Sequence, residues 1–199
     1  YFGFDLFCIY VLYHLYAEIT AEFSANSPKI SPFKSAGIAI DRKVYTGNVV
    51  EEYEGPRAVL GDILLDEKEI NEEFFISEDK IKGWTYLKGA KSEERKTSTG
   101  HTYHYSEGSM TFPDALDRPS RTIITGEGGV GPSRFKHVIK TKSGRYRRLT
   151  PIELERLDMF PDNHTKLDGV SDAKRAFFMG NALVVGAVER VGEALAKKI

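Results

Sequence analysis

Apolar positions dominate the start of the chain and take on regular spacings further along. Residues 6–13 form an unbroken apolar run. Because it is apolar on every side, it predicts a buried helix, or a strand followed by a helix. The run is well short of the roughly 20 residues that a membrane span needs, so we expect no membrane association. The apolar and β-branched residues at 37–40, 43–45 and 122–125 predict short strands.

Turn and cap residues divide the last third of the chain. Residues 138–140 and 145–147 predict a hairpin that turns at residues 143–144, a Ser-Gly pair. Residues 150–153, Thr-Pro-Ile-Glu, predict a helix that begins with a capping box and has proline at its first position. A last helix is predicted to start near Asn181, because apolar residues recur beyond it at helical spacing.

The central segment is less regular. Residues 57–65 predict a helix after Pro56, and residues 74–105 mix aromatic and basic side chains around a turn at residues 98–100. His101 and His104 lie just after that turn. Two histidines at this spacing without a nearby cysteine favour surface or DNA contacts over a metal site, so no metal is expected.

Charge is distributed unevenly in a chain whose net charge is only −1. Residues 51–79 contain 11 acids and 2 bases, whereas residues 118–148 contain 9 lysines and arginines and one acid. A basic segment of this kind favours a polyanionic partner such as a nucleic-acid backbone. The alternative is a solvated face that the acidic segment balances.

The chain has one cysteine, Cys8, within the apolar run. It therefore predicts neither a disulfide framework nor a cysteine-rich zinc site, which fits a reducing cytoplasm. No basic segment precedes the apolar start, so no secretory signal is expected. Burial among apolar neighbours would raise the pKa of the Cys8 thiol and quench it, and we interpret Cys8 as a core residue.

Three segments identify a family. They are RPSRTIITGEGG at residues 118–129, GRYRRLTPIELERLDMFPD at residues 144–162 and FFMGNALVVGAVERVGEAL at residues 177–195. In this order they resemble the C-terminal third of DNA (cytosine-5) methyltransferases of the restriction-modification type. There a threonine-rich strand, an R-x-L-T-P-x-E helix and a final Gly-Asn-Ala/Ser-Val helix follow the region that determines sequence specificity.

The resemblance implies duplex DNA as a partner. In the family the threonine strand supports the target-recognition domain and the following glycines meet the DNA. Basic side chains beside them are suited to phosphates, and arginine also to guanine edges. The residues that we predict to bind DNA are Arg118, Arg121, Thr122, Gly128, Gly129, Arg134, Lys136, His101, His104 and Lys91.

The resemblance also implies a cofactor, S-adenosylmethionine. In the family the Gly-Asn turn of the last motif approaches that cofactor, so Asn181 and Ala182 are predicted to lie beside it. Leu183 stands where the family commonly has valine, a departure that keeps the packing. Without this context, Asn181 would be interpreted as the cap of the last helix.

The predicted fold class is mixed α/β. We expect residues 1–34 to be an apolar segment that packs on the catalytic domain, and residues 35–148 to be a β-rich target-recognition domain. Residues 149–199 are expected to be helices that complete a Rossmann-like methyltransferase domain.

The family's catalytic motifs have no counterpart in the 199 residues. Its nucleophile is a cysteine between proline and glutamine, whereas Cys8 lies between Phe7 and Ile9. The expected function is the C-terminal part of an enzyme that transfers a methyl group to C5 of cytosine, and the chain alone is predicted to be inactive. Its predicted partner is the N-terminal catalytic half, in the same protein or in a separate subunit. The alternatives are a stand-alone DNA-binding module without catalysis and a non-enzymatic interaction protein.

Overall fold

The computed structural model describes residues 17–19, 34–41, 43–50 and 53–197. Cys8 and the apolar run at residues 6–13 lie outside these residues, so the interpretations made for them stay predictions. The chain divides into two compact units, Tyr1–Gly55 with Glu189–Ile199, and Pro56–Val188.

The first unit contains an antiparallel sheet of three short strands, β1 (Ala17–Ile19), β2 (Ala36–Ile40) and β3 (Lys43–Gly47), in the order β1-β3-β2. Strands β2 and β3 confirm the two strands that the sequence predicts here. The Thr46 side chain connects β3 to the start of β2. Its hydroxyl donates to the Ala36 carbonyl at 3.0 Å and accepts from the Lys34 amide at 2.7 Å.

The second unit combines short helices with a three-stranded sheet and a separate hairpin, which confirms the mixed α/β class. Its sheet has the antiparallel order β4-β8-β7, and the hairpin pairs β5 with β6. Its elements are 3-10 helices at Leu60–Ile63, Glu67–Glu69 and Glu72–Phe74, then β4 (Phe75–Ile76), α1 (Glu78–Lys88), β5 (Lys91–Lys96), β6 (Thr102–Glu107), β7 (Val138–Lys140), β8 (Tyr146–Arg148), α2 (Pro151–Leu157), α3 (Asp172–Met179) and the start of α4 (Val185–Ala196).

The core of the second unit joins the sheet to helices α2 and α3. Its members come from both sides of the boundary predicted after residue 148, so this boundary does not separate two cores. The functional division into three segments stays a prediction. The buried cluster consists of Leu60, Ile139, Leu149, Leu154, Ala176 and Met179.

The predicted turn and capping box at the C-terminal side of the sheet are confirmed. Gly144 has φ +90° in the turn between β7 and β8, a conformation that favours glycine. At the start of α2, Glu153 accepts a hydrogen bond from the Thr150 amide at 2.8 Å, and the Thr150 hydroxyl accepts one from the Glu153 amide at 3.3 Å. The sequence pattern therefore placed this helix correctly.

The helix predicted at residues 57–65 is wrong in extent, because only the 3-10 helix Leu60–Ile63 forms. The amides of Leu60 and Gly61 donate to the carbonyls of Arg118 and Leu116, both at 2.8 Å. The Gly61 amide is therefore not available for the bond to the Arg57 carbonyl that an α-helix over residues 57–65 would need. Contact with a distant segment thus outweighs the local pattern.

The strand predicted at residues 122–125 is also wrong, since this segment pairs with no strand in the described parts of the chain. Its β-branched residues favour extended backbone, but the segment packs against α3 instead of against a strand. Ile123 contacts the core, and the Ile124 carbonyl accepts the Glu127 amide at 3.0 Å in a turn.

The last helix begins at Val185, four residues after the predicted start near Asn181. Asn181 follows the end of α3, and its side-chain amide donates to the Phe177 carbonyl at 2.8 Å. It therefore satisfies a free carbonyl at the C-terminal end of the preceding helix.

Candidate functional site

Two glycines bring the segment at residues 122–129 against helix α3. A Cβ on Gly180 would lie 2.4 Å from the main-chain carbonyl of Ile124, and one on Gly128 would lie 2.7 Å from the Ala173 Cα. Only glycine permits backbones to approach this closely. The structure thereby brings together the two regions that the sequence predicts for DNA and for the cofactor.

A cavity of about 500 Å³ opens where these regions meet. This volume lies within the range of small-molecule sites, which are mainly apolar with a few polar groups. Its wall includes Arg121 and Thr122, predicted to bind DNA, and Ala182, predicted to lie beside the cofactor; Asn181 is not part of it. The remaining lining residues are Ala58, Val59, Ile63, Ser120, Ile123, Arg156, Leu157, Asp158, Met159, Met179, Gly180, Leu183 and Val184.

Asp158 is the acidic residue in the wall of this cavity. It is only 6% exposed, and its Oδ2 has no hydrogen-bond partner among the described residues. Burial raises the pKa of its carboxyl group to about 6. Its main-chain carbonyl accepts the Val185 amide at 2.9 Å, which fixes the end of α2 beside the start of α4.

The two arginines in the cavity wall are engaged elsewhere. Arg156 forms two bonds of 2.7 Å to Asp162 and one of 3.0 Å to the Ile63 carbonyl. Arg121 bonds to Asp114 at 2.7 Å and to main-chain carbonyls nearby. The Asp158 carboxylate is thus an unpaired hydrogen-bond acceptor in a largely apolar cavity.

Residues 126–137, hereafter the glycine-rich loop, follow residues 120–123, which line the cavity. Lys136 is 8% exposed, and its ammonium group donates to the carbonyls of Gly129 at 3.1 Å and Gly131 at 2.9 Å. Lys88, from α1, donates to the carbonyls of Arg134 at 3.2 Å and Lys136 at 2.6 Å. Both lysines therefore hold the backbone of the glycine-rich loop from inside the protein.

Arg134 joins the glycine-rich loop to the β5–β6 hairpin. Its guanidinium group lies 3.1 Å from the Glu107 carboxylate and donates to the carbonyls of Leu87 and Gly89 at 3.2 and 3.3 Å. Lys91 pairs with the same Glu107 at 2.5 Å. The structure thus places both predicted DNA-binding residues in one network that includes protein carbonyls.

The other predicted DNA-binding side chains are more open. Arg118, His101 and His104 are exposed. His104 lies 3.1 Å from the Ser92 hydroxyl across the hairpin, while His101 lies just beyond the turn at its tip. The described residues contain no group of three or more histidine, cysteine or acidic side chains that would hold a metal.

No sequence pattern indicated a buried polar chain that connects the two ends of the glycine-rich loop to Ser120. His137 is fully buried, with its Nδ1 3.0 Å from Glu127 Oε1 and its Nε2 3.0 Å from the Ser120 hydroxyl. Ser120 in turn lines the cavity. No local spacing marks these three residues as partners, because they meet only when the loop folds back.

The sequence of the chain matches a known family. The model of the C-5 cytosine-specific DNA methylase family matches residues 16–197, and the chain belongs to this family. One relative is the type II methyltransferase M.Sau3AI of Staphylococcus aureus, which is 39% identical over 165 residues. That match spans 83% of this chain but only 38% of the relative's length.

A solved methyltransferase of Entamoeba histolytica, EhMeth, aligns with a TM-score of 0.41 at 18% identity. The alignment covers 78% of this chain and 47% of that protein. A score this low supports no conclusion about function.

Within the described residues, no helix is long and apolar enough to cross a bilayer.

Proposed function

We propose that this chain is the C-terminal part of an enzyme that methylates C5 of cytosine at a specific site in duplex DNA, with S-adenosylmethionine as methyl donor. Family membership supports the reaction class. The observation that carries the proposed division of labour is the cavity in which the segments at residues 120–123 and 180–184 meet. This chain would supply DNA recognition and one wall of the cofactor site.

The cavity fits a cofactor of this kind. Its volume suits a small molecule, and most of the residues that line it are apolar. Asp158 lies in the cavity wall, and its Oδ1 would accept hydrogen bonds from amino or hydroxyl groups of the ligand, since Oδ2 is buried. When bound, S-adenosylmethionine supplies the activated methyl group. Ala182 would contact the cofactor, while Asn181 would hold the turn that presents Ala182.

For DNA we propose the surface formed by the glycine-rich loop and the β5–β6 hairpin, together with Arg118, Arg121 and Thr122. Gly129 and the hairpin tip around His101 are exposed and suited to enter a groove. Direct phosphate contacts by Arg134 and Lys136 stay a prediction. Their bonds to protein carbonyls support a role in which they hold these elements in place.

We propose that the nucleophilic cysteine and the remaining cofactor contacts lie in another part of the same protein or in a partner subunit. The support is the mismatch between Cys8, flanked by Phe7 and Ile9, and the family's Pro-Cys-Gln motif. Exposed apolar side chains along α4 favour such a partner over a stand-alone DNA-binding module, since Val188 is 50% exposed and Val191 66%. A cytoplasmic location stays a prediction.

The test is transfer of labelled methyl groups from S-adenosylmethionine to DNA. The chain alone should show no turnover, and addition of the catalytic portion should restore it. Cys8→Ser should leave the restored activity unchanged. Robust turnover by the chain alone that is abolished by Cys8→Ser would show that Cys8 is the nucleophile and overturn the proposal.

A further inference from the structure

The glycine-rich loop is held by buried cations that bond to its own carbonyl groups. Lys136 and Arg148 both donate to the Gly129 carbonyl at 3.1 Å. Lys136 also holds Gly131, and Lys88 holds the carbonyls of Arg134 and Lys136. Three cations thus fix four carbonyls within eight residues of chain.

These cations are placed at an energetic cost. Lys88 is 1% exposed, and burial lowers the pKa of its ammonium group to about 8. Burial likewise lowers the pKa values of Lys136 and Arg148. Ammonium groups buried without a directly bonded carboxylate are unfavourable unless carbonyls satisfy them. The arrangement therefore defines one conformation of the loop, since another conformation would leave these cations unsatisfied.

The opposite side of the loop backbone faces outward. In a trans peptide the carbonyl and the following N–H point in opposite directions. Because the Gly129 carbonyl points toward Lys136 and Arg148, the Val130 amide points away from them. Gly129 has φ +85°, Val130 is exposed, and the Val130 amide has no acceptor in the described parts of the chain.

We propose that Lys88, Lys136 and Arg148 are positioning residues for DNA recognition, which hold the loop so that the Val130 amide donates to a phosphate oxygen of the DNA backbone. The inference rests on the proposed function for its ligand. Main-chain amides are common phosphate donors, and the positive charge behind the loop adds attraction for an anion.

The first test is Lys136→Met, which keeps the length of the side chain and removes its charge and donors. DNA binding by the full chain is measured across a salt series. We expect affinity to fall about tenfold, the scale of one lost charge-assisted hydrogen bond, with an unchanged salt slope. A slope flattened by about one unit would mean that Lys136 itself contacts a phosphate, which would overturn the positioning role.

Lys142→Met is the matched control, because Lys142 is an exposed lysine in the turn between β7 and β8. It should change affinity by less than Lys136→Met does, while amide hydrogen exchange in the loop accelerates only in Lys136→Met. Equal effects of the two variants would contradict the inference. Absence of salt-dependent DNA binding by the unaltered chain would instead contradict the proposed function.

A second test removes the proposed donor and leaves every cation in place. Replacing Val130 by its α-hydroxy acid converts the amide to an ester, which keeps the side chain, removes the N–H and also makes the Gly129 carbonyl a weaker acceptor for Lys136 and Arg148. We expect about a tenfold loss of DNA affinity with an unchanged salt slope. Unchanged affinity would show that the Val130 amide donates to no phosphate. This test does not depend on whether Lys136→Met folds.

Discussion

Helix α2 carries buried carboxylates in two different states. Glu153 and Glu155 are fully buried and bonded to arginines, Glu153 to Arg147 at 2.7 and 2.8 Å and Glu155 to Arg175 at 2.9 Å. Asp158, at the end of the same helix, is almost as buried but forms no ion pair with any described residue, although Glu155 also has one oxygen, Oε2, without a described partner. The glutamates are paired with arginines that fix the helix, whereas the aspartate has no such cation beside it in the part of the chain that the structure describes.

The pairs around Glu153 and Glu155 hold distant segments together. Glu153 also accepts the Leu65 amide at 3.0 Å, and Glu155 accepts the Thr165 amide at 2.9 Å. Burial opposes ionisation of Glu155, but hydrogen bonds from Thr165 and Arg175 outweigh it, so its pKa lies below the usual value. Glu155 therefore joins α2 to its surroundings as a charged group, and Glu153 does so through its bonds to Arg147 and to the Leu65 amide.

The largest expected effect comes from breaking the Arg147–Glu153 pair. Arg147→Ala should lower the free energy of unfolding by about 3 to 5 kcal/mol, because it leaves Glu153 as an uncompensated buried charge. Urea unfolding of the full chain measures this. The exposed Arg145→Ala is the control and should cost far less. Equal losses for the two variants would refute a structural role of the buried pair.

A smaller effect is expected at the close approach that shapes the cavity. Gly180→Ala places a Cβ against the backbone of Ile124 and should cost about 1 to 3 kcal/mol, as overpacking does. It should also weaken S-adenosylmethionine binding to the complete enzyme. Gly192→Ala in α4, where a Cβ meets open space, serves as the control. A fully stable Gly180→Ala variant with normal cofactor affinity would contradict the proposed cofactor site.

Asp158 should make the free energy of unfolding depend on pH, with an effect comparable in size to that of Gly180→Ala. Its folded-state pKa of about 6 lies above the ordinary value of 3.8. The resulting stabilisation is present below about pH 4 and is lost as the pH rises through about 6, on the order of 2 to 3 kcal/mol. Asp158→Asn removes this ionisable group and should therefore flatten the pH dependence of the free energy of unfolding between about pH 4 and 6. An unaltered pH profile would show that the pKa of Asp158 is not raised in the folded protein.

The smallest effect is expected for Asn181→Ala. The variant removes one bond to the Phe177 carbonyl, which should cost about 1 kcal/mol or less. In the complete enzyme it should raise the Michaelis constant for S-adenosylmethionine more than it weakens DNA binding. An effect on DNA affinity alone would remove Asn181 from the cofactor side of the molecule.

Local sequence signals predicted the elements that local bonds hold. The capping box at residues 150–153, the turn at residues 143–144 and the β5–β6 hairpin turn at residues 98–100 are such elements. The prediction of a strand at residues 122–125 was wrong, because strand pairing depends on a neighbouring strand that the local sequence does not specify. Helices α1 and α3 were not predicted, and α1 has a lysine, Lys88, buried at its end.

For the candidate site, motif resemblance indicated which segments matter, but not how they are arranged. It indicated Thr122 and Ala182, and the structure places both in one cavity wall. It gave no indication of Asp158 or Lys88, whose importance arises from burial and from contacts between distant parts of the chain. Charge counting marked the basic segment but did not reveal that Lys136 turns inward.

The chain of contacts from Glu127 through His137 to Ser120 gives the two sides of the site a mechanical connection. A shift of the glycine-rich loop backbone moves Glu127 and its bonded partner His137. Because His137 is fully buried, it cannot move without moving its neighbours. Ser120 in the cavity wall should therefore respond when DNA binds the loop. We expect DNA to shift the NMR signal of Ser120, and His137→Phe to abolish that shift while DNA still binds.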